Sequence, residues 1–207
     1  MALCTAAEVK AYMPDLSGSA EDTALDVFIA RIGQTFAEWC GYPAASVGGT
    51  PTIESATYTR YYDPARAVRL QGGIQYLDLG IHPVTSVTSV HDDPDLAYSS
   101  TYEIVSGDRG LDGAAGRIYL LPTSSKTFSA TGSRAIKAVF VAGYATVPVG
   151  LKHAACLAVR DAYASRNTPQ PSGIAGSSRG PWTAEVGSLL QPYRLPAALG
   201  VGYQGEA

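Results

Sequence analysis

The chain has 207 residues, of which 46% are hydrophobic and only 16% charged, and its formal net charge is −3. This length buries a core without staples and suits one domain, or a small domain carrying a large insertion. The charge announces no basic tail or stripe for nucleic acid, the three cysteines form no CxxC pair and point to reduced thiols rather than a disulfide framework, and no run approaches the ~18 apolar residues of a membrane helix. The start, MALCTAAEVKAYMPDL, lacks a charged region followed by an apolar one, so the expectation is a soluble protein made inside the cell.

Thr5-Ala6-Ala7-Glu8 has capping-box spacing, which predicts a short helix reaching Met13, where Pro14 stops it. The polar break DLSGSAEDTA follows. Ser19 or its neighbours can cap a second helix, with Glu21 and Asp22 at its positive end. Leu25, Phe28, Ile29, Ile32, Phe36 and Trp39 recur at helical spacing and form one apolar stripe. Gly41 suits the position just past the helix, and Pro43 forbids continuation.

From about Thr50 the texture changes. TIESATYTRYYD, AVRLQG, QYLDLG, VTSVTSV, TYEIVSG, RIYLLP and AIKAVFVAGY are short, rich in Val, Ile, Thr and Tyr, and separated by turn residues, which predicts an antiparallel block. VTSVTSV departs from alternation with a period of three. HDDPDLAYSS and SGDRGLDGAAG read as hairpin or crossover turns. Gly143-Tyr144 ends the last strand sharply. Pro148 then opens a helix in which Leu151, Ala154, Ala155, Leu157, Ala158, Ala162 and Tyr163 make a broad face, its small residues allowing close packing. The stretch TPQPSGIAGSSRG has linker composition. WTAEVGSLLQPYR places Val186, Leu189, Leu190 and Tyr193 at helical spacing up to Pro192, and LPAALGVGYQGEA is an apolar, Gly-rich tail.

Clustered strands between terminal helices predict an α+β fold rather than βαβ alternation. The expected organisation is a helical platform from both chain ends (1–50 and 145–167) with an inserted antiparallel β module, sandwich or barrel-like (51–144). A flexible linker (168–181) and a C-terminal docking helix and tail (182–207) follow. The platform core is expected from Leu25, Phe28, Ile29, Ile32, Phe36, Trp39, Leu151 and Leu157.

Catalytic chemistry is sparse. His82, His91 and His153 show no HxH or HExxH spacing. Asp92, Asp93 and Asp95 around Pro94 match no calcium loop and read as a turn, as do Asp108 and Asp112. There is no GxSxG elbow, no phosphate-binding GxxxxGK[ST] and no GxGxxG opening a helix. Cys40 and Cys156 read as buried, inert thiols, with a Cys–His dyad left open. Tyr58, Tyr61 and Tyr62, with Arg60, Arg66 and Arg69 nearby, suit a protein interface. They also suit stacking on sugars or bases, so a carbohydrate-directed β module on a helical scaffold stands as the alternative.

The order of several short motifs carries a resemblance. Val9-Lys10 lies near the start and Pro83-Val84-Thr85-Ser86-Val87 in the β block. Ala142-Gly143-Tyr144 with Pro148 precedes the third helix, and Leu189-Leu190-Gln191-Pro192-Tyr193-Arg194 lies near the end. Together they resemble the head–tail connector, or adaptor, proteins of long-tailed bacteriophages and related particles. Phe140 departs from the Tyr often found there, and the Gly/Ser-rich linker is long. The resemblance implies a structural virion protein of the neck, made in the host bacterial cytoplasm. It implies a ring, commonly of twelve copies, between the portal protein and the next neck or tail-completion protein, with double-stranded DNA passing through the lumen. It implies no catalysis, no cofactor, no metal and no membrane. The C-terminal segment would dock on the portal, which assigns that role to Trp182, Val186, Leu189, Leu190, Tyr193, Arg194, Leu199 and Tyr203 and expects the segment to order only on binding. A mildly acidic lumen would repel phosphates and keep DNA sliding.

Overall fold

A computed structural model describes residues 2–16, 18–93, 95–128, 131–167 and 182–196. The expected linker 168–181 and the site candidates Leu199 and Tyr203 lie outside the described residues. In chain order the elements are α1 (Ala6–Lys10), α2 (Asp22–Cys40), β1 (Ala56–Tyr62), α3 (Pro64–Ala67), β2 (Val68–Gln71), β3 (Ile74–Asp78), β4 (Val84–Asp92), β5 (Arg109–Asp112), β6 (Arg117–Leu120), β7 (Ile136–Ala142), α4 (Val149–Ala164) and α5 (Ala184–Leu190). The fold is α+β. The described chain divides into two compact units, one drawn from Met1–Tyr42 with Thr146–Arg194, the other from Pro43–Ala145.

The first unit is helical. Thr5 caps α1 as its spacing dictates: the Glu8 N–H donates to Thr5 Oγ1 at 3.3 Å while Glu8 Oε2 accepts from the Thr5 N–H at 2.9 Å. α1 stops earlier than Met13, because the Tyr12 and Met13 N–H groups reach back only three residues, to Val9 and Lys10, in a tightened turn. Ser19 does not cap α2 through its hydroxyl. Glu21 is the cap residue, and Ser19 instead offers its carbonyl to the Asp22 N–H at 3.2 Å. Gly41 closes α2 with φ of 83°, and the Tyr42 N–H returns to the Ala37 carbonyl at 2.9 Å.

α4 is the central helix of this unit. Ala154 through Val159 are all buried, and α1, α2 and α5 pack around it. On α2, Leu25, Ile29 and Phe36 are fully buried, whereas Phe28, Ile32 and Trp39 flank the stripe and are only half-buried. Leu151 and Leu157 are buried on α4.

The second unit holds two antiparallel sheets, a three-stranded one in the order β1-β7-β4 and a four-stranded one in the order β2-β3-β6-β5. Each keeps its own edge strands, so they do not close into one barrel. β7 alternates buried and half-buried positions along its length. β4 matches that period of two with its own period of three. Val84, Val87 and Val90 face Ala142, Phe140 and Ala138, and the register shifts between Val84 and Ser86 and again between Val87 and Ser89. Two bulges thus keep every valine of VTSVTSV over the buried face of β7.

Two sequence expectations fail here. TYEIVSG forms no strand: Ser100–Tyr102 is a single 3₁₀ turn, and Glu103 makes one isolated bridge to His91. Arg109 explains the change, because its guanidinium takes the Ile104 carbonyl and also reaches those of Val87 at 3.3 Å and Thr88 at 3.4 Å, beside the second bulge. RGLD, read as part of a turn, pairs with β6 as the edge strand β5.

Candidate interaction surfaces

The solvent face of the four-stranded sheet presents an ordered set of side chains. Register fixes it. Tyr76 of β3 faces Arg69 of β2 on one side and Tyr119 of β6 on the other, and Tyr119 faces Gly110 of β5. One step along, Asp78, Arg117 and Asp112 are in register. Alternate residues Leu77, Ile118 and Leu120 point inward and are buried, so these rows lie on the opposite face. The Arg117 guanidinium sits over the Tyr76 ring, 4.8 Å from its centroid, and its Nε finds no hydrogen-bond partner. A shallow depression of about 300 Å³ opens here, lined by Gln71, Ile74, Tyr76, Asp112, Arg117 and Tyr119. The flanking carboxylates are partly spent on turns: Asp78 accepts from the Gly80 N–H at 3.0 Å and Asp112 from the Ala115 N–H at 3.1 Å.

The β2–β3 hairpin extends this face. Gly72 and Gly73 both have positive φ, 59° and 81°, the two-residue turn that matches strand twist. Ile74 beside the turn, two residues before Tyr76, continues the face and is exposed, whereas the exposed Leu70 alternates with Arg69 onto the opposite face. Tyr, Arg and aliphatic groups displayed on one rigid sheet make the chemistry of a partner contact.

The tyrosines singled out from the sequence are elsewhere. Tyr58, Tyr61 and Tyr62 are buried in β1, with Tyr58 stacked on Phe140 at 5.8 Å. The Tyr62 hydroxyl donates to the Leu79 carbonyl at 3.1 Å, and full burial drives its acidity far down. Arg60 is buried beside them, while Arg66 is exposed and Arg69 is half-buried. No ring of that cluster is free to stack on a sugar or base. The carbohydrate alternative therefore loses the residues that suggested it.

The second surface lies on the helical unit. Phe28, Ile32, Ala158, Ala162 and Trp182 line a groove of about 450 Å³, with Arg31, Asp161 and Arg166 also on it. Trp182 packs edge-on to Phe36 at 5.0 Å and to Trp39 at 5.7 Å. Arg194 sits over the Trp39 ring at 4.6 Å. Val186 and Leu190 are fully buried against the unit's own helices, while Leu189 and Tyr193 are half-buried and Arg194 is exposed. Of the residues expected to dock, Val186 and Leu190 lie in this unit's own core, and Leu189, Tyr193 and Arg194 keep exposed surface. Trp182 and α5 pack against the other helices of this unit.

The remaining chemical candidates have ordinary structural uses. The Tyr12 hydroxyl meets His153 Nδ1 at 2.8 Å, and His91 Nδ1 meets the Ser99 carbonyl at 3.1 Å. His82 is half-buried and precedes Pro83 through a cis bond, and burial lowers its basicity. The buried Asp93 carboxylate accepts from the Asp95 and Ser99 N–H groups at 2.8 and 3.3 Å, which makes it a turn former. Among the described residues, no three His, Cys, Asp or Glu side chains gather as metal ligands would. Cys4, Cys40 and Cys156 are all buried free thiols, and burial pushes Cys40 up to about 12. No helix among the described residues is long and apolar enough to cross a membrane.

No protein-family model matches the chain, and no curated protein matches it significantly. Among solved structures it is similar to a chain of the "Neck of native GTA particle computed with C12 symmetry", with 21% identity over 90% of this chain and 88% of that one and a TM-score of 0.44. It is also similar to a chain of the "Neck of empty GTA particle computed with C6 symmetry", a gene transfer agent, with 21% identity over 92% of this chain and 88% of that one and a TM-score of 0.50. At that identity and coverage the likeness establishes a shared fold running nearly end to end through both chains.

Proposed function

We propose that this chain is a structural neck protein of a phage-like particle, a head–tail connector acting as a ring-forming adaptor. The observation that carries the reading is the fold likeness to a neck chain, which covers 92% of this chain and 88% of that one. It embraces the terminal helices and the β module together, as the order of the sequence motifs requires. A ligand-binding module would need only the β unit.

In this reading the neck ring contains about twelve copies, lies between the portal and the next neck component, and lets double-stranded DNA pass; that part rests on the motif resemblance. The Tyr76–Arg117–Tyr119 face is suited to a protein neighbour. Trp182, Leu189, Tyr193 and Arg194 keep a share of exposed surface for portal contact, and Val186 and Leu190 hold them in place. No reaction and no cofactor enter the proposal.

The test is stoichiometric. Particles are purified from the source, and copies of this chain are counted by quantitative mass spectrometry with the portal as internal standard. Near-equal copy number supports the neck ring. Absence from the particle, or a trace amount, overturns it.

A further inference from the structure

The groove on the helical unit has spare hydrogen-bonding capacity of one kind. Its apolar wall is Phe28, Ile32 and Trp182, with the small residues Ala158 and Ala162 between them. The Asp161 carboxylate on it is already held by Arg160, through contacts at 2.7 and 2.9 Å. Arg31 is exposed and makes no ion pair among the described residues. Arg166 stacks on the Tyr163 ring at 3.6 Å and gives one N–H to the Tyr163 carbonyl at 3.3 Å, and its charge too is unpaired among the described residues. The Trp182 indole N–H is buried without an acceptor. What this surface has to spare is therefore donor only: two cations and an N–H beside an apolar wall. The occupant that fits it is acidic and aliphatic together.

The β unit presents such a group. Asp95, Leu96 and Ala97 are exposed together, Leu96 at 46%. Leu96 has φ of 59°, a left-handed conformation that a bulky side chain rarely adopts. It persists because the turn is tied down on every side. The Leu96 N–H donates to the Asp93 carbonyl at 3.4 Å, and the Asp95 and Ser99 N–H groups donate to the Asp93 carboxylate. The Asp93 N–H donates to the Ala135 carbonyl at 2.9 Å. Tyr98, also left-handed at 52°, donates its hydroxyl to the Arg134 carbonyl at 2.8 Å. Leu96 is thus held outward as a rigid knob, and the Asp95 carboxylate beside it makes no ion pair among the described residues. Two other places set an acid near an exposed aliphatic side chain and suit a groove less. Asp26 and Val27 lie on the surface of α2, which is no convex insert, and Glu103, close before Val105, is drawn into the bridge to His91.

We infer that the Asp95–Leu96 turn of one copy of this chain seats in the helical groove of a second copy, with Leu96 against Phe28, Ile32 and Trp182 and the Asp95 carboxylate paired with Arg31. Knob and groove are different surfaces, so the contact is heterologous and propagates from copy to copy. The neck reading enters only in closing that series into a ring. Leu189, Tyr193 and Arg194 do not line the groove, so the portal contact proposed above keeps them.

The full-length protein is made with the photo-cross-linker p-benzoylphenylalanine at position 97, which leaves Asp95 and Leu96 in place. A mixture of ordinary and heavy-nitrogen-labelled protein is irradiated at rising concentration, up to the millimolar range. Peptide mass spectrometry is expected to find position 97 joined to the peptides that carry Phe28 and Ile32 or Trp182, in hybrids of labelled and unlabelled chains. Asp95→Arg and Arg31→Asp should each cut the yield about tenfold, and the two changes combined in one chain should restore it. Four outcomes overturn the inference: no adduct at the highest concentration, adducts within single molecules only, adducts on another surface, or a yield indifferent to both reversals. Both reversals fall on exposed positions, and the map from position 97 decides the seat even where a reversed variant folds poorly. Failure of the contact and failure of the neck reading are separable. Portal-like copy number in particles with no adduct removes the contact alone, and adducts with the chain absent from particles remove the neck reading alone.

Discussion

Gly110 stands directly opposite Tyr119 in the β5–β6 ladder, and a β-carbon on Gly110 would lie 2.2 Å from Cζ of the Tyr119 ring. The ring lies across the bare backbone of the edge strand, as aromatic side chains do over strand glycines. This covers β5 and holds Tyr119 beside Tyr76 at the centre of the aromatic face. Gly110→Ala has to push the ring away, at a cost of about 1–3 kcal/mol. In a Tyr119→Ala background the same change meets no ring and should cost far less. Chemical denaturation of the four proteins of that double-mutant cycle measures the coupling, and equal costs in both backgrounds would refute the ring-over-glycine arrangement.

Gly143 answers for the abrupt end of β7. Its φ is 98°, and a β-carbon there would lie 2.3 Å from the Glu54 carbonyl oxygen and 2.8 Å from that of Ile53. The tight approach lets the Gly143 N–H donate to Pro83 at 2.8 Å and the Tyr144 N–H to Ile53 at 2.9 Å. Gly143→Ala therefore combines left-handed strain with a backbone collision, and a loss of about 3–5 kcal/mol is expected. Gly72 shares the positive φ, at 59°, but a β-carbon there meets nothing within 4 Å. Gly72→Ala should thus cost only about 1 kcal/mol. Comparing the two midpoints in urea separates strain from collision, and near-equal losses would refute the argument.

Much of the fold was legible because local signals were strong. The capping box at Thr5, the stripe on α2 and the glycine after it all act within a few residues. VTSVTSV looked anomalous because its period of three belongs to a pair of strands, and only the two-residue period of β7 reveals the bulges. TYEIVSG carried strand propensity, but Arg109, a residue distant from it in purpose and unmarked by any motif, claims the Ile104 carbonyl. The site was less legible. Tyr58, Tyr61 and Tyr62 invite a surface reading as a cluster, yet burial is decided by which sheet faces what. Tyr76 and Tyr119 come together only through the β3–β6 register.

α5 offers a test of whether the C-terminal segment belongs to this chain's core. Leu190 is fully exposed in no sense: its relative exposure is 0%, and that of Val186 is 0% as well. Leu190→Ala should cost the isolated protein about 2–4 kcal/mol through lost burial and the cavity left behind. Leu189, half-buried on the same helix, should cost clearly less. The measurement is thermal or chemical unfolding of the free protein. An unchanged midpoint for Leu190→Ala would show that α5 is not packed in the absence of a partner.

The Glu8–Lys152 pair gives a pH dependence of known sign. The hydrogen bond from Lys152 lowers the Glu8 carboxyl below its ordinary value, and the Thr5 N–H adds to the effect. A lowered folded-state value means that the unfolded chain binds the proton more readily. The contribution is therefore fully present above the ordinary carboxylate range and is lost as pH falls through the lowered value. Lys152 is shifted upward by the same contact, so its share is present at neutral pH and is lost only as pH rises through that raised value. Both side chains are more than a third exposed, so solvent and salt screen the pair and the effect is modest. Glu8→Gln keeps the shape of the cap but removes the titration. Stability measured from pH 7 down to pH 3 should fall less steeply in Glu8→Gln than in the unaltered protein, and the two curves should converge at the acid end. Parallel curves across that range would mean that the carboxylate carries none of the pH dependence and that the α1–α4 contact is held by packing alone.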